Sequence, residues 1–314
     1  MRRRLRIVRI GNLGNQTIQY IAALGLARAI GDCDVVGHDL PLLRNQSPRI
    51  IAPRRGIFEI RGHLIDPQFI ARVVERYDLR RITFKALGHR CENYPPREEL
   101  IEQFDIPPPL GVHFGDDDLV INVRGAEILS DRHKDYGPVP VDFYVKLVEA
   151  VGKLPVFMGQ IGTDWYSNAL RERFPGAAFL PSLGPAGDFA AIASARHVVV
   201  SLSSFSWVAA WLSQASTIHV PVLGFYNPAQ RPDVNLLPVE DKRYRFYRFP
   251  VREWHATAGD IAWLREPHDY YPQSSLEVSE QLARARYAVA SAAEAVHRFL
   301  RRRAIAAWLV ERFV

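Results

Sequence analysis

The chain has 314 residues, 48% of them apolar and 24% charged, with a net charge of +6 and two cysteines. That length and apolar share allow one large or two medium cores, and two cysteines at no metal-ligand spacing, Cys33 and Cys91, exclude a disulfide framework. No apolar run approaches the ~18 residues of a membrane span, and the run after the basic start is broken by Arg9 and too short for a secretory segment, so a cytoplasmic protein is expected.

The positive balance predicts an anionic partner: nucleic acid, an anionic membrane face or a phosphorylated small molecule. Basic residues crowd both ends, at Arg2, Arg3, Arg4 and Arg6 and again at Arg298, Arg301, Arg302 and Arg303. Neither zinc-finger spacing nor an aromatic ribonucleoprotein signature accompanies them, so nucleic acid is not expected as a partner.

In chain order, the strand LRIVRI (5–10) runs into the turn GNLGN (11–15), then a helix from about Gln16 to Ile30 and a second strand, DVVGHDL, which together make a βαβ opening. Residues 45–110 read as irregular, rich in proline, with helical patterns from Pro67 to Tyr77 and from Arg97 to Phe104. Pro107, Pro108 and Pro109 mark a boundary. A second series follows: strands at 118–123, 154–159, 177–181, 197–202 and 216–224, separated by helices at 140–151, 164–173, 186–195 and 205–213. This rhythm predicts a mostly parallel sheet covered on both faces. From Ser274 onward alanine, arginine and leucine at helical spacing predict terminal helices. The expected organisation is α/β: an N-terminal domain over 1–110, a Rossmann-like domain over 118–250, and a helical extension over 251–314.

Ligands of parallel α/β sheets sit beyond the carboxyl ends of strands, where helix N-termini attract anions. Two places fit. In GNLGN, Gly11 and Gly14 let the backbone approach a ligand, while Asn12, Asn15 and Gln16 offer polar groups and Asn15 is placed to cap the helix. In SLSSFSWVAAWL (201–212), Ser203, Ser204 and Phe205 close a strand and open a helix whose N–H groups and hydroxyls suit a diphosphate. Both also read as ordinary capped turns, and neither the dinucleotide glycine spacing nor a Walker lysine is present. A third element is INVRGAEIL, where Arg124 and Glu127 follow a strand: a planar fork for phosphate oxygens beside a carboxylate, or a surface ion pair.

Together, GNLGNQTIQYIAALGLARA, YGPVPVDFYVKLVEAV and LPSLGPAGDFAAIASARHVVVSLSSFSWVAAWL resemble glycosyltransferase family 11, the α-1,2-fucosyltransferases, within the wider group of fucosyltransferases with two facing Rossmann-like domains (GT-B type). The resemblance covers blocks over about half of the chain. Of that family's His-x-Arg-Arg-x-Asp motif, which falls on 122–127, Arg124 is kept while Asn122, Ala's neighbour Gly125 and Glu127 stand where the family has histidine, arginine and aspartate. Leu202 and Val208 replace an asparagine and a tryptophan of the serine-rich block.

The resemblance implies an inverting, metal-independent transferase that uses a GDP-sugar, GDP-fucose first, as co-substrate, with no bound cofactor. A glycan or lipid-linked glycan would be the acceptor. Arg124 would grip the departing diphosphate together with Ser203, Ser204 and Phe205, and Asp188 would meet the base or ribose unless it merely caps a helix. Glu127 is the first candidate for the acceptor's base, ahead of His38, Asp39 and His133. The turn Asp116–Asp118 precedes its strand and so lies at the wrong end for a catalytic metal. Tyr244, Phe246, Tyr247 and Trp254 alternate as in a half-buried strand rather than a stacking platform. The terminal segment VHRFLRRRAIAAWLVERFV pairs apolar residues with a basic cluster, suited either to packing on the protein or to peripheral contact with an anionic membrane. Two alternatives are a polysaccharide pyruvyltransferase, whose glycine-asparagine opening GNLGN partly matches, and a non-catalytic nucleotide- or glycan-binding relative.

Overall fold

A computed structural model of the chain describes residues 2–44, 58–109, 111–130 and 134–287. His133 and the basic terminal segment 288–314 lie outside the described residues.

The first unit contains β1 (Arg3–Ile7), α1 (Leu13–Ile30), β2 (Cys33–Val36), β3 (Phe58–Arg61), α2 (Pro67–Arg76) and β4 (Arg81–Lys85), with α3 (Arg97–Ile101) leading out of it. Its four strands are all parallel, in the order β2-β1-β4-β3. The region from 45 to 110 therefore supplies half of this sheet, which the sequence reading left irregular. α2 starts where Asp66 accepts the Phe69 N–H at 2.9 Å and Pro67 opens the first turn, and it buries only Ile70 and Val74.

The second unit contains β5 (Asp118–Val123), α4 (Val141–Val151), β6 (Leu154–Gly159), α5 (Trp165–Arg173), β7 (Ala178–Phe179), α6 (Gly184–Ser194), β8 (His197–Val199), α7 (Ser204–Leu212), β9 (Thr217–Val222), β10 (Tyr244–Arg248), α8 (Ala258–Arg265) and β11 (Tyr271–Gln273). The sheet order is β11-β10-β9-β8-β5-β6-β7, parallel except for β11, which pairs antiparallel with β10. β5, β8 and β9 carry runs such as LVINV, HVV and TIHVPV that are buried throughout their central residues, as expected of strands covered on both faces. Residues 258–273, expected within a helical extension, add α8 and this edge strand to the second sheet. Beyond it, residues 275–287 are helical and begin with Ser274 and Glu277 capping each other.

The chain thus folds as two parallel α/β units facing one another. In the second sheet the chain runs β5, β6, β7 in one direction and then returns across β5 to β8, so the order reverses between β5 and β8. In the first sheet it reverses between β1 and β4. Loops beyond the carboxyl ends of strands at such reversals form a crevice. Gln19, fully buried on α1, spans the first of them, donating to the carbonyls of Val8 and Ala86 at 2.9 Å each.

The two units are joined by a wide junction. Asn235 and the 89–92 segment exchange backbone hydrogen bonds, Asn235 N–H to His89 and Cys91 N–H to Asn235, both at 2.8 Å. Tyr94 packs edge-on against Trp207 and Trp211, and Arg97 donates to the carbonyls of Trp211 and Ser213 at the end of α7. Cys33 and Cys91 are free thiols, and burial pushes Cys33 up to about 11. Among the described residues no helix is long and apolar enough to cross a membrane.

Candidate functional site

One cavity of about 1060 Å³ opens between the units, beyond the carboxyl ends of β5 and β6 and against the start of α1. Of the eleven site residues expected from sequence, Gly11, Asn12, Gly14, Asn15, Gln16, Arg124, Asp188, Ser203, Ser204 and Phe205 line it. Glu127 does not.

The first wall is the start of α1. The helix begins at Leu13, not near Gln16, with Asn12 at the N-cap position and no side chain taking a first-turn N–H. Asn15 therefore does not cap the helix; it lies inside the first turn and its Oδ1 accepts the Ser204 hydroxyl at 2.6 Å. Gly14 is likewise used differently from expectation. A Cβ there would lie 2.5 Å from the Phe205 N and Cα, so the glycine lets α1 touch α7 rather than leaving room for a ligand. Gly11, at φ +70°, makes the turn itself, and Gln16 donates back to its carbonyl at 2.6 Å.

The second wall is the start of α7. Ser203 is its N-cap, its hydroxyl accepting the Phe205 N–H at 3.2 Å. The loop from β8 to α7 is fixed from beneath: the Tyr226 hydroxyl donates to the carbonyls of Ser201 and Ser203 at 3.0 Å, and the Ser201 hydroxyl donates to Asn122 at 2.7 Å. This ties the end of β5 to the end of β8 across the reversal. Neither α1 nor α7 has an acidic residue in its first turn, so the positive ends of two helices meet at one cavity, whose two lining carboxylates among the described residues, Asp164 and Asp188, belong to the starts of other helices.

Arg124 follows β5 and is the sole cation among the described residues lining the cavity. Its guanidinium pairs with Glu127, and Gln160 donates to the other oxygen of Glu127 at 3.0 Å while accepting the Gly125 N–H at 3.2 Å. Arg124 is thus held from behind by a carboxylate that β6 steadies. Its side chain is 30% exposed, and its buried Nε has no partner among the described residues. The turn that makes this possible is tight: Ala126 sits at φ +51°, and a Cβ on Gly125 would lie 2.8 Å from the Gln160 carbonyl.

Asp188 is not an N-cap. α6 begins four residues earlier, at Gly184, and Asp188 reaches back from inside the helix to accept the Leu183 N–H at 2.8 Å and the Ser182 hydroxyl at 2.7 Å. Asp164, which sequence reasoning passed over, caps α5 by accepting the N–H groups of Tyr166 and Ser167. Gly159, Gln160 and Tyr136 are further lining residues that were missed. Gly159, at φ +107° after an apolar strand, was the readable signal.

The reserve candidates for a base lie elsewhere. His38 is buried with its ring 4.6 Å from that of Tyr20, and Asp39 pairs with Arg9 at 3.3 Å; neither lines the cavity. Asp116 and Asp117 sit at the amino end of β5, engaged with Arg196 and Lys153, on the far side of the sheet from the cavity. Tyr244 and Phe246 are buried in β10, and the Trp254 indole donates to the Ile128 carbonyl, as a half-buried strand and its neighbour require.

No family model and no curated protein sequence matches the chain. Among solved structures, the chain is similar to a mutant of Arabidopsis thaliana FUT1 in complex with GDP, at TM-score 0.43 and 11% identity over 70% of each chain. It is similar also to POFUT1 in complex with GDP-fucose, at TM-score 0.40 and 9% identity over 68% of this chain and 95% of that one, and to the apo form of POFUT1, at TM-score 0.35 and 10% identity over 66% and 94%.

Proposed function

We propose that the protein is an inverting, metal-independent glycosyltransferase that takes a nucleoside-diphosphate sugar, GDP-fucose first, and transfers the sugar to a hydroxyl of a glycan. The observation that carries this reading is the convergence of Arg124 with the starts of α1 and α7 on one cavity at the strand-order reversal of the second sheet. A doubly charged leaving group is what two helix N-termini without acidic first turns and a guanidinium fork suit. The cavity is larger than a nucleotide's phosphates need, leaving room for base and sugar.

In the proposed reaction the acceptor oxygen bonds to the anomeric carbon as the bond to the diphosphate oxygen breaks on the opposite face. Charge grows on the diphosphate, where Arg124 and the positive ends of α1 and α7 stabilise it. The acceptor's proton needs a base. A diphosphate that draws Arg124 forward leaves the Glu127 carboxylate held by Gln160 alone and, unlike Asp164 and Asp188, not tied into a helix start, which makes it the candidate base.

A second reading, binding of a nucleotide without turnover, is favoured by Arg124 being the sole lining cation and already partnered by Glu127. Differential scanning fluorimetry with GDP, UDP and phosphoenolpyruvate, followed by a transfer and hydrolysis assay with radiolabelled GDP-fucose, separates the possibilities. Stabilisation by GDP with turnover is the expected result. Stabilisation by GDP with neither transfer nor hydrolysis of any GDP-sugar leaves the binding reading, and stabilisation by phosphoenolpyruvate alone points to pyruvyl transfer.

A further inference from the structure

Parallel sheets are ordinarily apolar on both faces because helices cover both. The first sheet departs from this. Its register stacks Leu5, Ile82 and Phe58 in one row and Ile7, Phe84 and Ile60 in the next, all on one face, with five of these six buried and Phe58 half-buried. Both crossovers, β1 to β2 and β3 to β4, run the same way across the sheet, so right-handedness puts α1 and α2 together on that face, where they pack on each other.

The opposite face holds the alternate residues. Arg4 pairs in register with Arg81 and Asp34, Arg6 with Thr83 and Val36, and Lys85 with Arg61. Arg4, Arg81 and Lys85 are exposed and Arg6 is half-buried. Asp34 is taken by Arg2, and Glu59, beside Thr83, is taken by Arg61. Arg4, Arg6, Arg81 and Lys85 carry no ion pair among the described residues. Four cations without an ion pair among the described residues therefore share one sheet face, with alternate residues along a strand about 6.7 Å apart and neighbouring strands about 4.8 Å apart. Two such strands, β1 and β4, are the pair whose carboxyl ends flank the first sheet's reversal, and the GNLGN turn that follows β1 lines the cavity.

We propose that this face is a binding track for an anionic polysaccharide, a chain bearing carboxylates or phosphates along its length, which leads the acceptor toward the cavity. A row of cations running along the strand direction matches a linear polyanion. The exposed large apolar residues of the first unit, Leu64, Phe69 and Tyr77, fall outside this face, which offers a lipid surface nothing to insert. The inference rests on the glycosyltransferase reading only for the direction of the track; the binding itself does not depend on it.

The test measures binding of the full chain to polygalacturonate at low salt, against neutral dextran and phosphatidylserine-containing vesicles. The variants are Arg4→Gln/Arg81→Gln/Lys85→Gln and, as a charge-matched control elsewhere, Arg72→Gln/Arg76→Gln/Arg173→Gln, which alters exposed residues of α2 and α5. The expected result is salt-sensitive binding to polygalacturonate alone, weakened about 10- to 100-fold in the first variant and less than threefold in the control. Thermal stabilisation by GDP is expected to be the same in both variants, which shows the fold and the cavity to be intact. Equal loss in the two variants, no preference over dextran, or equal binding to vesicles overturns the proposal. Absence of GDP stabilisation in the unaltered protein overturns the transferase reading instead, and leaves the polysaccharide result to stand or fall by itself.

Discussion

Arg124 owes its placement to two neighbours, and the local pattern announces only one of them. Glu127 lies three residues on, but Gln160, which orients it, comes from just after the next strand, β6, 33 positions from Glu127. The sequence places Arg124 at the end of a buried strand and so makes it legible as an anion ligand; the side chain that steadies its partner becomes visible only when β5 and β6 are side by side. Replacing Arg124 by alanine is expected to abolish stabilisation by GDP and to lower transfer by ~10²–10³-fold, the scale of one lost electrostatic donor. Lysine keeps the charge without the fork and is expected to recover only part of the loss. Glu127→Gln separates two roles. A glutamine can still accept from Arg124 but cannot take a proton, so if Glu127 is the base, kcat falls and GDP stabilisation stays. An unchanged kcat would remove Glu127 from the reaction.

At the scale of elements, α7 meets the first unit at both ends, with Arg243 of the second unit joining at the last. Its start touches Gly14 and receives Asn15, and its last carbonyls accept Arg97 and Arg243, cations placed where the helix dipole is negative. Gly14→Ala puts a methyl group 2.5 Å from the Phe205 backbone, and backbone atoms cannot swing aside as a flexible side chain does. The expected cost is about 1–3 kcal/mol, read as a fall in Tm of about 2–10 °C, with weaker GDP binding because the cavity wall shifts. An unchanged Tm would show that the two helix starts are free to part. The expected and observed elements agree best where the sequence repeats strand and helix without interruption: β5 and β6 fall on the expected residues, and α4, α5 and α7 start within one residue of expectation. They agree least before residue 110. β3 and β4 have four and five residues, and the frequent prolines around them mask their alternation. That alternation, polar on one side in a parallel sheet, is itself the exception to the rule that both faces are covered.

The molecule as a whole depends on a junction that buries histidine. His89 lies between the units with only 3% of its surface exposed, its carbonyl bonded to Asn235 and its ring 5.2 Å from that of His63. Burial lowers both imidazoles; His63 and Arg231 lower His89 further, Asp233 opposes them, and His89 falls to about 3. His219, in the core of the second sheet with its Nδ1 2.8 Å from the Tyr247 hydroxyl, also falls to about 3 by burial. The unfolded chain protonates these rings near 6.5, whereas the folded chain takes up the His89 and His219 protons only toward 3. Between those values the unfolded state binds more protons, so folding weakens as the pH drops through the window and is unaffected by these groups above it. Each fully buried ring contributes a slope of up to about 1.4 kcal/mol per pH unit. Urea midpoints are therefore expected to be constant between pH 7.5 and 8.5 and to fall steadily from pH 6.5 to 5. His89→Gln, which removes one titrating ring at the junction, is expected to flatten that fall while leaving GDP binding at pH 7.5 intact, since His89 does not line the cavity. A variant with the same pH profile as the unaltered chain would mean that water reaches His89, and that the two units separate more readily than their shared hydrogen bonds imply.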